Sequence, residues 1–270
     1  MRFRTCYFDK RAHIRFDTVY SAWKARREVN DQVACFLRTS INTSLLQRLS
    51  GRSILVTKVR TREEALEPCR DGRVFMIGGF LGAGTPESLV DGLIERGIGG
   101  ITLICNDTAF PHVGTGKLIV NKLVGKLVSS YIGGTPETAR QMHAGELEVE
   151  LVPQGTLAER IRCGGAGLGG ILTPTGVGTV VEQGKHKLRV AEKEYLLEEP
   201  LVADIALIKA AKADTHGNLV YRRSARNFNT VMAMAARLVV VEAEEIVDLG
   251  VLDPDEIMTP GIFVDTVTKG

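Results

Sequence analysis

The stretch Val74-Phe75-Met76-Ile77-Gly78-Gly79-Phe80-Leu81-Gly82-Ala83-Gly84-Thr85-Pro86-Glu87 decides the fold. Val74 to Ile77 are apolar without alternation, the pattern of a strand covered on both faces. They run into a loop carrying Gly78, Gly79, Gly82 and Gly84. Pro86 follows, at a helix start where its missing N–H leaves no bond unmade. Leu89, Leu93 and Ile94 then supply an apolar helical face, and Gly97 ends the helix. Strand, tight turn and helix make one unit of a parallel α/β sheet.

Upstream, Thr61 and Glu64 have capping-box spacing and predict a helix from Arg62 to about Arg70, closed by a turn at Asp71-Gly72. Downstream the unit recurs. Strands are predicted over 101–105 and 126–132. Gly133-Gly134-Thr135-Pro136-Glu137 then leads into a helix to about Ala144. Gly-Thr-Pro-Glu thus stands twice, at 84–87 and 134–137, each time between a strand and a helix. A strand over 149–152 and a helix over 157–162 follow. Gly164 to Gly178 is rich in Gly and Pro, and Leu188, Val190, Tyr195 and Leu197 suggest a surface hairpin. Buried strands return over 205–208 and 238–241, separated by a helix over 230–237. The fold class expected is α/β: an open, mostly parallel sheet with helices on both faces.

The 270 residues are 44% hydrophobic and 24% charged, with 29 glycines, the proportions of a globular chain with many tight turns. No apolar run reaches the roughly 20 residues of a membrane helix, and no apolar secretory segment is seen at the N-terminus. Residues 1–52 differ from the rest: 11 Lys and Arg against 4 Asp and Glu, and 7 of the 15 aromatics. This segment reads as a basic extension, disordered or a misassigned start. Its alternative is an Arg-rich binding arm, and its acidic residues argue against a transit peptide. Residues 53–270 form the main domain. Five widely spaced cysteines without Cys-x-x-Cys disfavour a disulfide framework or a zinc site, and a cytoplasmic location is the simplest expectation. No metal-ligand spacing links the histidines, and neither a nucleic-acid nor a membrane partner is expected.

Ligands of open parallel sheets bind at the carboxyl ends of strands. Three loops stand there. The glycines of Gly78 to Pro86 let backbone N–H groups approach a ligand, and the helix behind them favours an anion; a plain tight turn is the other reading. Asn106-Asp107 is a cap or a ligand group. Gln154, in Pro153-Gln154-Gly155-Thr156, suits a carbonyl or carboxylate, or is a surface residue. Cys163 reads as a buried small residue rather than a thiol nucleophile. No Gly-x-Ser-x-Gly elbow is present.

Five motifs in one order carry a resemblance that runs from about residue 57 onward. Ile77 to Pro86, Val152 to Leu157, Ile161 to Gly167, Thr173 to Thr179 and Ser224 to Asn229 resemble the α subunits of family I CoA-transferases. The resemblance implies a ping-pong exchange of CoA between short-chain carboxylic acids of the acetate, acetoacetate or butyrate type, through a glutamyl-CoA thioester. It implies acyl-CoA as substrate with no permanently bound cofactor. It also implies a partner β subunit and an assembly of heterotetramer size or larger. The family's nucleophilic glutamate lies in a Ser-Glu-Asn-Gly segment of the β half, which is missing from this sequence. No catalytic residue is therefore expected here, and capping explains Glu87 and Glu137. What the resemblance carries onto this chain is a substrate wall: Gly78, Gly79, Phe80, Gly82, Gly84, Asn106 and Gln154. Asp107 stands where some relatives have Asn. Ser224 to Asn229 is expected to be structural or an inter-subunit contact. The alternatives are a non-catalytic acyl-CoA or sugar-phosphate binding protein of the same fold, and a sugar-phosphate isomerase, which would need its own base.

Overall fold

The structure is a computed structural model and describes residues 57–270; the expectations for residues 1–52 lie outside the described residues. Helix α1 (Arg62–Leu66) opens with the expected capping box: Glu64 N donates to Thr61 Oγ1, and Thr61 N donates to Glu64 Oε2. It does not reach Arg70. Pro68 cannot donate to the turn before it, and the chain tightens into a 3-10 turn over Glu67–Asp71.

Strand β1 (Val74–Ile77) and helix α2 (Glu87–Glu95) follow as the opening stretch predicts. Next come β2 (Ile101–Ile104), α3 (Gly116–Val120), β3 (Val124–Ser129), α4 (Pro136–His143), β4 (Glu148–Leu151) and α5 (Gln154–Gly165). Strands β5 (Ile171–Thr173), β6 (Lys187–Val190) and β7 (Lys193–Glu198) form a separate antiparallel sheet in the order β5-β7-β6. The hairpin β6-β7 is the expected one; β5 was not expected. Strand β8 (Ala203–Asp214), β9 (Leu219–Val220), α6 (Asn229–Met234), β10 (Ala236–Val247) and β11 (Thr266–Lys269) complete the chain.

The main sheet runs β11-β10-β8-β1-β2-β3-β4 with every neighbour parallel; β9 adds to β8 antiparallel. Its two faces are both covered. Phe75, Ile77, Leu103, Leu127 and Leu207 pack against Leu66, Leu89, Leu93 and Leu118 of the first helices. Met76, Ile104, Val128 and Ile208 pack against Leu157 and Ile161 of α5 and Met232 of α6. Burying each such side chain contributes about 1.5–3 kcal/mol, and together they hold the loops at the strand ends on a rigid base.

Strands β8 and β10 are 12 residues each, far longer than their apolar centres. Past their apolar centres, Lys209 lies opposite the buried Glu242 and Lys212 opposite Glu245, with N–O distances of 3.5 and 3.0 Å. Cross-strand charge pairs support the ladder there beside the buried Ala210, Ala213 and Ala243. At the other side, β4 is an edge strand. Its Glu148 pairs with Lys126 at 2.7 Å and its Glu150 with Arg160 at 2.7 Å.

Candidate functional site

The loops after β1, β2, β3 and the start of α5 after β4 surround a cleft of about 330 Å³ at the carboxyl ends of the strands. Phe80, Leu81, Phe110 and Tyr131 supply apolar walls; Asn106, Asp107, Ser130 and Gln154 supply polar groups. Phe80 is 43% exposed and Tyr131 52%, so these rings stand open, whereas Asn106 and Asp107 are 2% and 4% exposed. The crevice between β1 and β8, where the strand order reverses, is not part of this cleft. Asn229 fills it: its Oδ1 accepts from Lys209 N, and a side chain at Gly78 would run into it.

Asp107 organises the cleft. Its Oδ1 accepts from Ala109 N at 2.8 Å, both oxygens accept from Leu81 N at 3.1 and 3.0 Å, and Oδ2 accepts from Asn106 Nδ2 at 2.6 Å. Leu81 (φ 48°) and Ala109 (φ 44°) are both in the left-handed region, which costs a non-glycine residue about 1–2 kcal/mol. One carboxylate thus holds two strained turns from two loops. Asn106 Oδ1 accepts from Gln154 Nε2 at 2.8 Å and from Ser130 Oγ at 3.1 Å. Gln154 is the first residue of α5 rather than part of a loop, and its side chain is exposed to the cleft.

The glycine loop departs from expectation. Gly78 N donates to Leu207 O, Gly79 N to Asn227 Oδ1, Phe80 N to Ala83 O, Ala83 N to Phe80 O and Thr85 N to Gly82 O. These donors are used inside the protein, and of the loop residues only Phe80 and Leu81 line the cleft. Gly78, Gly79, Gly82 and Gly84 are there for close packing: Gly79 against Thr85, Gly82 against Val113, Gly84 against Ala225. Asn227 and Asn229 clamp the loop from behind, donating to Ala83 O and Gly84 O. The Ser224 to Asn229 motif is therefore structural. The anion expected at the N-terminus of α2 is the protein's own. Glu242, 3% exposed, accepts from Ser88 N at 2.8 Å and Leu89 N at 3.2 Å.

Other polar candidates stand aside from the cleft. Glu87 accepts from Gly114 N and pairs with Lys117 at 2.6 Å. Glu137 is held down at about 2 by hydrogen bonds from Arg140 and Gln141 of its own helix. Cys163 is buried, as the sequence suggests. Burial first, and the Asp107 charge second, push the Cys105 thiol up to about 12, too high for a thiolate nucleophile. Sequence reading missed Ser130, Tyr131 and Phe110. The first two were absorbed into a strand predicted to run to Ile132. The strand stops at Ser129, because Ser130 N turns to Asn106 O and Tyr131 O accepts from Thr108 N.

Residues 59–270 match the model of the coenzyme A transferase family. The chain belongs to the coenzyme A transferase family. Within it, the acetate CoA-transferase α subunit of Escherichia coli K12 is 56% identical over 211 residues, 78% of this chain and 96% of that one. The acetoacetyl-CoA:acetate/butyrate CoA-transferase α subunit of Clostridium acetobutylicum is 52% identical over 200 residues, 74% of this chain and 92% of that one. In three dimensions, an acyl-CoA transferase from E. coli O157:H7, solved as a thioester complex with CoA, superposes with a TM-score of 0.72 at 21% identity. The match covers 79% of this chain and 47% of that one. The described residues of this CoA-transferase chain thus have the fold of the family and correspond to an α subunit. No described helix is long and apolar enough to cross a membrane.

Proposed function

We propose that this chain is the α subunit of a heteromeric enzyme that moves CoA between short-chain acyl-CoA and a carboxylic acid, with the nucleophilic glutamate on a β subunit. One observation carries the reading. The cleft has apolar walls, oriented amides and a single carboxylate, and both oxygens of that carboxylate are already taken by N–H donors. A carboxylate so bound, and needed to hold two turns, is a poor nucleophile. The cleft is a substrate wall that lacks its own attacking group among the described residues.

The partner's glutamate carboxylate attacks the thioester carbonyl, the C–S bond breaks, and CoA thiolate leaves a mixed acyl-glutamyl anhydride. The thiolate then attacks the glutamyl carbonyl, releasing the first carboxylate and leaving a glutamyl-CoA thioester. The incoming carboxylate reverses both steps, so each thioester broken is re-formed through an anhydride and none is lost to water. On this chain, Phe80, Leu81, Phe110 and Tyr131 would hold the acyl group away from water. The free N–H of Gln154 would donate to the oxygen that gains charge. CoA is a substrate in this scheme, not a resident cofactor. Buried free thiols at Cys69, Cys105 and Cys163 suit a reducing cytoplasm. A heterotetramer or larger assembly is the expected form.

The test is transfer from acetoacetyl-CoA to acetate by this chain alone and by this chain co-expressed with a neighbouring reading frame that carries Ser-Glu-Asn-Gly. Activity only in the second case is expected. Activity of the chain alone would sink the split-site reading, and none in either would favour a non-catalytic acyl-CoA binding protein. In the active complex, Gln154→Ala is expected to lower kcat about 100- to 1000-fold with little change in the denaturation midpoint, since the side chain is exposed.

A further inference from the structure

The polar floor of the cleft contains one group whose chemistry leaves no choice of orientation to its neighbours. An ionised carboxylate only accepts hydrogen bonds. Asn106 must therefore turn its NH2 toward Asp107 Oδ2, 2.6 Å away. Its Oδ1 then faces Ser130 Oγ and Gln154 Nε2. That fixes Gln154 in turn, with Nε2 toward Asn106 and Oε1 on the opposite side of the amide. Asp107 sets the polarity of the whole row.

Charge is the second consequence. Every partner of Asp107 is neutral: two backbone N–H groups and one amide. Those dipoles stabilise the carboxylate but do not cancel its net charge. Among the described residues, no Lys, Arg or His lines the cleft. A second carboxylate on the acyl group would lose hydration between Phe80, Phe110 and Tyr131, find no cation, and face a like charge at the floor. An acyl group with one carboxyl function, the one that becomes the thioester, meets none of these costs.

We propose that Asp107 is a specificity-determining residue, which orients the Asn106–Gln154 pair and restricts the site to monocarboxylic acyl groups by turning away those that carry a second carboxylate. The proposal rests on the CoA-transfer reading above and narrows its substrate class.

The test uses the complex of this chain with its co-expressed partner, acetoacetyl-CoA as donor, and three acceptors: butyrate, succinate and monomethyl succinate. Monomethyl succinate is longer than succinate but carries one charge, so it separates size from charge. Its kcat/KM is expected to exceed that of succinate about 30-fold or more, a like-charge effect at an effective dielectric near 20. Asp107→Asn keeps the shape and removes the charge, and is expected to narrow that gap about tenfold. Equal use of succinate and its monoester by the wild type would overturn the proposal. Rejection of both while butyrate is used would do so too, because size would then be the cause. An unchanged gap in a folded Asp107→Asn complex would also overturn it. If that variant does not fold, the wild-type comparison decides alone. Transfer to none of the three acceptors would instead remove the CoA-transfer reading, and the proposal with it.

Discussion

Gly-Thr-Pro-Glu occurs at the start of α2 and again at the start of α4, and the two copies do different things. In both, a buried Thr precedes a helix that begins at or just after Pro. The first copy is crossed by other parts of the chain. Glu87 reaches Gly114 N and Lys117, Glu242 from β10 seats its carboxylate under the first turn of α2, and Asn229 from α6 holds Gly84 O. In the second copy, Glu137 turns back onto Arg140 and Gln141 of its own helix, and Thr135 Oγ1 donates to Thr108 O. The same four residues become a crossing point in one place and a local cap in the other. What differs is the third element that lies across them: β10 and α6 reach the first copy, whereas the second lies toward the β4 edge of the sheet.

The comparison is broken most severely at Glu242. Glu242→Ala leaves the N-terminus of α2 unsatisfied and Lys209 without its buried partner. A loss of about 3 kcal/mol or more is expected in chemical denaturation, whereas Glu137→Ala should produce a much smaller change. The equivalent glycines sharpen the contrast. Gly84 has φ +76° and faces the Ala225 carbonyl, whereas Gly134, which faces the Ala109 carbonyl, is not in the left-handed region. Gly84→Ala should therefore cost about 1 kcal/mol more than Gly134→Ala; equal losses would mean that contact, not backbone conformation, fixes both. The smallest effect is one of pH. Arg140 holds Glu137 and Glu146 down at about 2, from an ordinary 4.5. A lowered carboxylate stabilises above its unfolded value, so this contribution is present above about pH 4.5 and is lost as pH falls toward 2. The acid slope of the denaturation midpoint should flatten in Arg140→Ala; an unaltered slope would show that the cluster is idle.

The parallel sheet was legible because β1 and the centres of β8 and β10 are unbroken apolar runs bounded by glycine or charge, and β2 interrupts its run only at Thr102. The outer parts of β8 and β10 were not, since the apolar runs end at Ile208 and Val241 and only the ladder shows Lys209, Lys212, Glu242 and Glu245 as cross-strand partners. Helix α3 escaped because five residues behind Gly114-Thr115-Gly116 carry too little periodicity. At the site, Phe80, Asn106 and Gln154 meet around one cleft, but the glycines do not line it. Sequence can mark a loop as glycine-rich; it cannot say whether the freed N–H groups face a ligand or Asn227 and Leu207. Asp107 shows the reverse limit. A polar pair after a strand reads as a cap, and only the folded chain brings Leu81 N to it from 26 residues away.

The edge strand β4 bears on how copies of this fold avoid one another. Its outer backbone groups are a template on which a strand from another molecule could grow a continuous sheet, the first step toward aggregation. β4 is only four residues long, and two of them, Glu148 and Glu150, are charged and held by Lys126 and Arg160. An incoming strand would have to strip water and break those pairs for at most four rungs of ladder. Among the described residues, growth of the sheet on that side is thereby opposed by charge and desolvation at the edge itself.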